Sequence, residues 1–206
     1  MSPRPDVSEA RKNQILDAAG SVFARLGFHE ARMDDIVAES KLSKGALYWY
    51  FKSKDAIIGG LLGRLFNYEL AGLCALETAD GPVSTRLRAY TRQMAARLEQ
   101  LQFLSAIAFE FYAIAGRQPV VRRTLQGYFQ TYEEVLARLL RQGIAQGEFR
   151  RIDADTAART LIALYEGTAL LWFVDPLRVR WGDQATEALE LWLAGIRPDD
   201  RSIPPS

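Results

Sequence analysis

The sequence predicts an all-α protein of about nine helices, with a three-helix helix-turn-helix unit at its N-terminus. Two observations carry this. Apolar residues recur at three- and four-residue spacing almost throughout the 206 residues, and no run alternates with the two-residue period of a strand. Capping and breaking residues fall between the periodic stretches: Gly27, Ser43, Ser53, Asp80-Gly81-Pro82, Gly116 to Pro119, Gly147 to Asp153, and Asp175-Pro176. A third observation concerns chemistry: the stretch from Ser40 to Ile58 concentrates lysines and large aromatics on one of the shortest predicted helices.

Ile15, Ala18, Ala19, Val22, Phe23 and Leu26 form the apolar stripe of a first helix, with Ser8 as its cap and Gly27 as its stop. A second helix fits Met33 to Ser40, with Asp34 and Asp35 in its first turn, where the helix dipole favours them. Ser43 caps a third helix running to about Tyr50, and Ser53 a fourth running towards Thr78. Beyond the break at Asp80-Gly81-Pro82 come helices from about Ser84 to Gln100 and from Phe103 to Ala115. A long helix then reaches about Gln146, followed by Ala154–Val174 and by Asp183 to about Ala194. The tail 198–206, rich in proline, reads as disordered.

Composition narrows the functional classes. Hydrophobic residues make up 49% and charged residues 25%, ordinary values for a globular chain. No apolar run of membrane-spanning length stands out, and the N-terminus lacks a signal-peptide core, so a cytoplasmic protein without membrane partners is expected. A single cysteine, Cys74, excludes an intrachain disulfide and reads as a small apolar residue on a buried face. His29 has no Cys, His or acidic cluster around it in sequence, so no metal, cofactor or catalytic residue is assigned. The net charge is +1, and the first 60 residues hold nine Lys/Arg against eight Asp/Glu. Any nucleic-acid function must therefore rest on where the cations lie.

They lie together. Lys41, Lys44, Lys52 and Lys54 fall within fourteen residues before the first carboxylate, Asp55, and Lys12 is the only other lysine. Between them stand Tyr48, Trp49 and Tyr50, three adjacent residues that a helix cannot all turn inward. Cations beside aromatic hydroxyls suit a phosphate backbone. Three short helices, the third of them basic and aromatic, match a helix-turn-helix, whose last helix enters the major groove.

The run Ser43-Lys44-Gly45-Ala46-Leu47-Tyr48-Trp49-Tyr50-Phe51-Lys52-Ser53-Lys54-Asp55 resembles the recognition-helix signature of the tetracycline-repressor (TetR) family. The upstream Leu26-Gly27-Phe28 and Met33-Asp34-Asp35-Ile36-Val37 fit the same pattern, so the likeness covers about the first 60 residues. The resemblance implies a DNA-binding domain over 1–57 and a ligand-binding and dimerisation domain over 58–206, with the helix at about 54–78 connecting them. It implies that Leu47 anchors the third helix and that Phe51 packs it on the fourth. Tyr48 and Tyr50 would contact phosphate, and Trp49 would face the groove. Ser43 and Lys44 would meet base edges or phosphate, and Gly45 would allow close approach. Lys54 would grip backbone phosphate. Two departures stand out: Lys41 replaces a turn glycine, and Arg32 stands near a usual hydroxyl cap, where it could contact phosphate directly.

The resemblance also implies a small, largely apolar effector in the second half. Its candidate contacts are Phe103, Phe109, Glu110, Tyr112, Phe129, Tyr132, Tyr165, Glu166 and Trp172. Glu110 and Glu166 sit in apolar runs and need partners; Arg92 and Arg159 are the candidates, a cationic or hydrogen-bonding ligand the alternative. The last two helices would pair with their copies in a homodimer through Leu161, Leu164, Leu171 and Trp172, then Leu189, Trp192, Leu193 and Ile196. The implied function is a ligand-responsive repressor released from a palindromic double-stranded DNA operator. Two rivals remain at this level: a small all-α enzyme, for which no catalytic constellation is visible, and an architectural DNA-binding protein without an effector.

Overall fold

The computed structural model describes residues 7–100 and 102–198, without the side chains of 99, 100, 102–107, 110 and 120. Every described element is an α-helix: α1 Val7–Leu26, α2 Met33–Ser40, α3 Lys44–Tyr50, α4 Lys54–Ala75, α5 Val83–Gln100, α6 Gln102–Arg117, α7 Pro119–Ala145, α8 Ala154–Val174 and α9 Trp181–Ile196. The tail 199–206 lies outside the described residues.

The head is built by short-range signals. Gly27 adopts φ +76° and closes α1 by donating its N–H to the Phe23 carbonyl at 2.9 Å. Ser8 lies inside α1, which begins at Val7, so the cap expected there is not formed by Ser8. At the start of α2 the Arg32 side chain has no acceptor to offer an amide. Asp35 supplies the reverse half of a cap, its carboxylate accepting the Arg32 N–H at 2.8 Å. Ser43 and Ser53 cap α3 and α4 as their sequence positions predict, accepting from the amides of Ala46 and Ala56.

Two apolar clusters fill the molecule. One joins α1–α3 and the first half of α4 to Phe111, Ile114, Ala115 and Leu125 of α6 and α7. The other joins the far end of α4 to α5, α7, α8 and α9. The α4 helix contributes to both, so a boundary between 57 and 58 falls within a single continuous helix. At Gly60 the helix packs so closely on α1 and α3 that a Cβ would sit 2.8 Å from Leu16 and 3.0 Å from the Phe51 ring.

The expected extent of α4 needs correction: it stops at Ala75 rather than near Thr78. Its end is held by side chains from elsewhere. Buried Arg86 donates to the Leu76 carbonyl and, at 3.2 Å, to Gln142 Oε1. Gln142 in turn donates to the Glu77 carbonyl. The first amides of α5, at Val83 and Ser84, donate to the two carboxylate oxygens of Glu148 at 2.7 and 2.9 Å. That arrangement starts α5 one residue before Ser84. Cys74 is exposed, not buried as the sequence pattern suggests.

The last two helices also depart from expectation. Leu161, Trp172, Leu189, Leu193 and Ile196 are buried within their own chain. Leu171 of the expected pairing face is exposed, and so are Leu170, Phe173, Val174, Leu177 and Leu191. Contrary to the reading that no run has spanning length, α8 is long and apolar enough to cross a bilayer by length and composition. In the fold it packs on α7 and α9.

Lys41 closes α2 with φ +56° and ψ +24°, the one non-glycine residue at positive φ among the described residues. It bears the strain that a glycine would relieve. Nearby, Gln14 fastens the same corner by donating to the Ser40 carbonyl at 2.8 Å. Left-handed backbone costs a side-chain-bearing residue roughly 1–2 kcal/mol, part of which glycine returns through unfolded-state entropy. Lys41→Gly is therefore expected to stabilise the protein by about 0.5–1 kcal/mol, read as a raised urea midpoint with an unchanged slope.

Candidate nucleic-acid interface and buried acidic cavity

The α3 helix is fixed from one side and free on the other. Leu47 is fully buried, and Phe51 nearly so, wedged against Gly60 of α4. Tyr48 and Tyr50 are half-buried, leaning on the head's apolar cluster. Ser43, Lys44, Gly45 and Trp49 are exposed. The Trp49 indole, 67% exposed, stands edge-on to Tyr50 with ring centroids 4.6 Å apart. Trp49 thus offers a large aromatic face to solvent beside the exposed Ser43, Lys44 and Gly45. Nothing lies within 4 Å of a Cβ built on Gly45, so no internal contact requires a glycine there.

The cations divide into two groups. Arg32, Lys41 and Lys52 are exposed at the ends of α2 and α3. Lys44 pairs with Asp34 of α2 at 2.7 Å, and that hydrogen bond raises its pKa. Lys54 behaves differently. Its ammonium donates to the carbonyls of Phe28 (2.6 Å), Ala31 (2.9 Å) and His29 (3.2 Å) and lies 4.3 Å from the centroid of the Phe28 ring. An ammonium has three hydrogens, and all three are engaged. With these bonds Lys54 staples α4 to the loop between α1 and α2.

In the second half, a cavity of about 70 Å³ lies between α4, α5, α7, α8 and the start of α9. Of the predicted ligand residues, Phe129, Tyr132, Tyr165 and Glu166 line it. Glu69, Tyr128 and Trp181, which sequence reasoning missed, line it as well. Glu69 was visible in principle, because it continues the inward stripe Leu62, Phe66, Leu73 at helical spacing. Trp172 belongs to the surrounding core, and Phe109 packs outside the cavity on Tyr112 and Phe173. The side chains of Phe103 and Glu110 lie outside the described residues.

Neither described acid has an arginine partner. The expectation of Arg92 or Arg159 for Glu166 is corrected: Arg159 pairs with Glu133 at 2.6 Å, and Arg92 is exposed. Glu166 accepts instead from the Tyr112 hydroxyl at 2.9 Å, and Glu69 from the Tyr128 hydroxyl at 2.7 Å. The surface Glu69 retains lines this cavity and a smaller neighbouring one. Burial pushes the Glu69 carboxyl up to about 7; the Tyr128 hydrogen bond opposes the rise, the Glu166 charge adds to it, and the Arg97 charge opposes it. Burial likewise raises Glu166, against its bond from Tyr112.

Residues 15–61 match the family described as "Bacterial regulatory proteins, tetR family", and residues 83–198 match "BetI-type transcriptional repressor, C-terminal". The chain belongs to the TetR family of transcriptional regulators. It is 29% identical over 173 residues to the HTH-type transcriptional regulator YfiR of Bacillus subtilis (strain 168), covering 81% of this chain and 83% of that one. It is 26% identical over 189 residues to the nicotine-responsive transcriptional repressor HdnoR of Paenarthrobacter nicotinovorans, covering 89% and 94%. Among solved structures, the SmeT–triclosan complex superposes with a TM-score of 0.77 at 24% identity, covering 96% of each chain. TetR-family membership answers the enzyme alternative, since these relatives are regulators.

Two predictions follow from this TetR-family geometry. Lys54→Met keeps the apolar stem and removes three donors, leaving three carbonyls unpaired at a cost on the order of 2 kcal/mol. The unfolding midpoint should fall, while the salt dependence of DNA affinity stays that of the wild type. For Glu69, the folded chain retains a proton between pH 4.5 and about 7 that the unfolded chain has released. Stability contributed by the protonated form is thus complete below 4.5 and lost as pH rises through about 7. Glu69→Gln should match the wild type in acid and exceed it by on the order of 2 kcal/mol at about pH 8, measured by urea unfolding across pH.

Proposed function

We propose that this chain is a cytoplasmic, homodimeric repressor that leaves a palindromic operator when a small molecule enters the cavity of its second half. The head, residues 1–57, reads DNA, and residues 58–206 bind the effector and pair the subunits. The observation that carries the reading is the division of α3. Its anchors Leu47 and Phe51 are buried, while Ser43, Lys44, Gly45 and Trp49 face solvent, with Tyr48 and Tyr50 at the margin.

In this reading α3 lies in the major groove, with Trp49 against base edges and the flanking Arg32, Lys41 and Lys52 at phosphates. Lys44 exchanges Asp34 for the backbone. Two such helices, roughly 34–36 Å apart, would engage successive grooves. Exposed Leu170, Leu171, Phe173, Val174, Leu177 and Leu191 supply an apolar surface of the kind that pairs subunits. A cavity with buried carboxylates favours a regulator over an architectural protein, whose bundle has no use for uncompensated acids. Coupling of about 1–3 kcal/mol between cavity and head suffices to switch occupancy. The α4 helix spans the distance: Glu69 and Lys54, fifteen residues apart, are about 22 Å from one another along it.

Selecting operators from random DNA with the purified protein tests the proposal. Tyr48→Ala and Trp49→Ala should each weaken binding to the selected site by roughly 10–100-fold, the worth of one good contact, with the dimer intact in sedimentation. Leu171→Glu with Val174→Glu should yield monomers. Wild-type affinity in both α3 variants would sink the assignment of this helix to DNA.

A further inference from the structure

We propose that the cavity between Glu69 and Glu166 takes an organic cation with a bulky or aromatic body, such as a quaternary or protonated amine. This names the effector class for the regulatory reading above and rests on it. Three independent observations converge on the site.

The first is charge. Two carboxylates face one cavity from α4 and α8, and each has only a tyrosine hydroxyl as donor. No Arg or Lys among the described residues forms an ion pair with either. The nearest candidate, Arg97, holds its guanidinium over the Tyr68 ring, 3.6 Å from the centroid. A carboxylate or phosphate head would be repelled here, and a neutral guest would leave the acids uncompensated. The second is the wall. Tyr128, Phe129, Tyr132, Tyr165 and Trp181 enclose the space, and aromatic faces attract cations through their quadrupoles. The third is an orphan donor. Trp181 is 2% exposed, and its indole N–H has no acceptor among the described residues. A guest carrying an acceptor atom beside its cation would satisfy it.

The space can grow. Met94 and Leu98 line both this cavity and a smaller one of about 20 Å³, which Glu69 and Arg97 also line, with the Arg97 guanidinium held over the Tyr68 ring. Methionine is the side chain best able to move aside, so displacement of Met94 would merge the two. A cation between the acids would also compete with Tyr112 for Glu166. That hydroxyl ties α6 to α8, and α6 carries Phe111 and Ile114 into the head's cluster. Gln118, just beyond α6, reaches Asp55 at the start of α4. A guest at Glu166 is therefore one helix away from the DNA-reading unit.

Phenyltrimethylammonium and tert-butylbenzene have the same shape and differ in charge, so they isolate the claim. Titrated into the wild-type protein at about pH 8, where Glu69 is ionised, the cation should bind about tenfold or more tightly than its neutral twin, read by tryptophan fluorescence. Glu69→Gln with Glu166→Gln keeps acceptors for Tyr128 and Tyr112 and should abolish that preference. Equal or tighter binding of tert-butylbenzene to the wild type, a comparison that needs no variant, would overturn the proposal. So would a preference that survives in the double variant. Operator retained by protein saturated with the cation would overturn the regulatory reading alone.

Discussion

The Lys54 ammonium and the three loop carbonyls that surround it hold the α1–α2 loop of the head to the first turn of α4, the helix that runs on into the second half. In the loop between α1 and α2 the carbonyls of Phe28, His29 and Ala31 turn towards the first turn of α4, and buried or half-buried carbonyls need donors. One side chain at the first turn of α4 supplies all three. Because Ser53 caps the same turn and Phe51 wedges beside Gly60, the last residues of α3 and the first of α4 form one rigid corner. The orientation of α3 is thus inherited from α4, and α4 is the element that the buried acids act upon.

This dependence explains why α4 belongs to two cores. Its N-terminal half, Ile57 to Phe66, packs in the head, and Leu73 packs in the bundle. Glu69 stands at the crossing point between them. A buried carboxyl is a poor contributor to stability, and its retention at such a position is economical only if something binds there. The neighbouring hydroxyls of Tyr128 and Tyr112 keep each acid satisfied without neutralising it, which leaves charge available to a guest.

Much of this was legible in the sequence where the cause is local. Periodicity placed α2, α3 and α8 at their observed ends, and Ser43, Ser53 and Gly27 act where their chemistry predicts. What escaped was set by distant partners. The end of α4 depends on Arg86 and Gln142, and the start of α5 on Glu148, none of which a local window can reveal. The staple that Lys54 forms could not be read from its neighbours in sequence, since its acceptors lie more than twenty residues upstream. Of the apolar face read on α8 and α9, Leu171 is exposed while Leu161, Trp172, Leu189, Leu193 and Ile196 serve the chain's own core, because helical spacing shows that a stripe exists, not which stripe that core consumes. Glu69 was overlooked because a single acid in an apolar helix resembles a surface residue until its stripe is traced.

The corner between α4 and α5 carries a consequence for how the chain assembles. The Glu77 carbonyl and the first amides of α5, at Val83 and Ser84, are satisfied by side chains from the end of α7 and the turn after it, 64 or 65 residues away in sequence. During synthesis the α4–α5 turn therefore emerges long before the groups that complete it. The head can condense around its own short-range caps while this turn waits, and closure of the bundle is a late, long-range event. The caps of the helix-turn-helix end lie close to it in sequence, whereas those of the α4–α5 turn arrive from far down the chain.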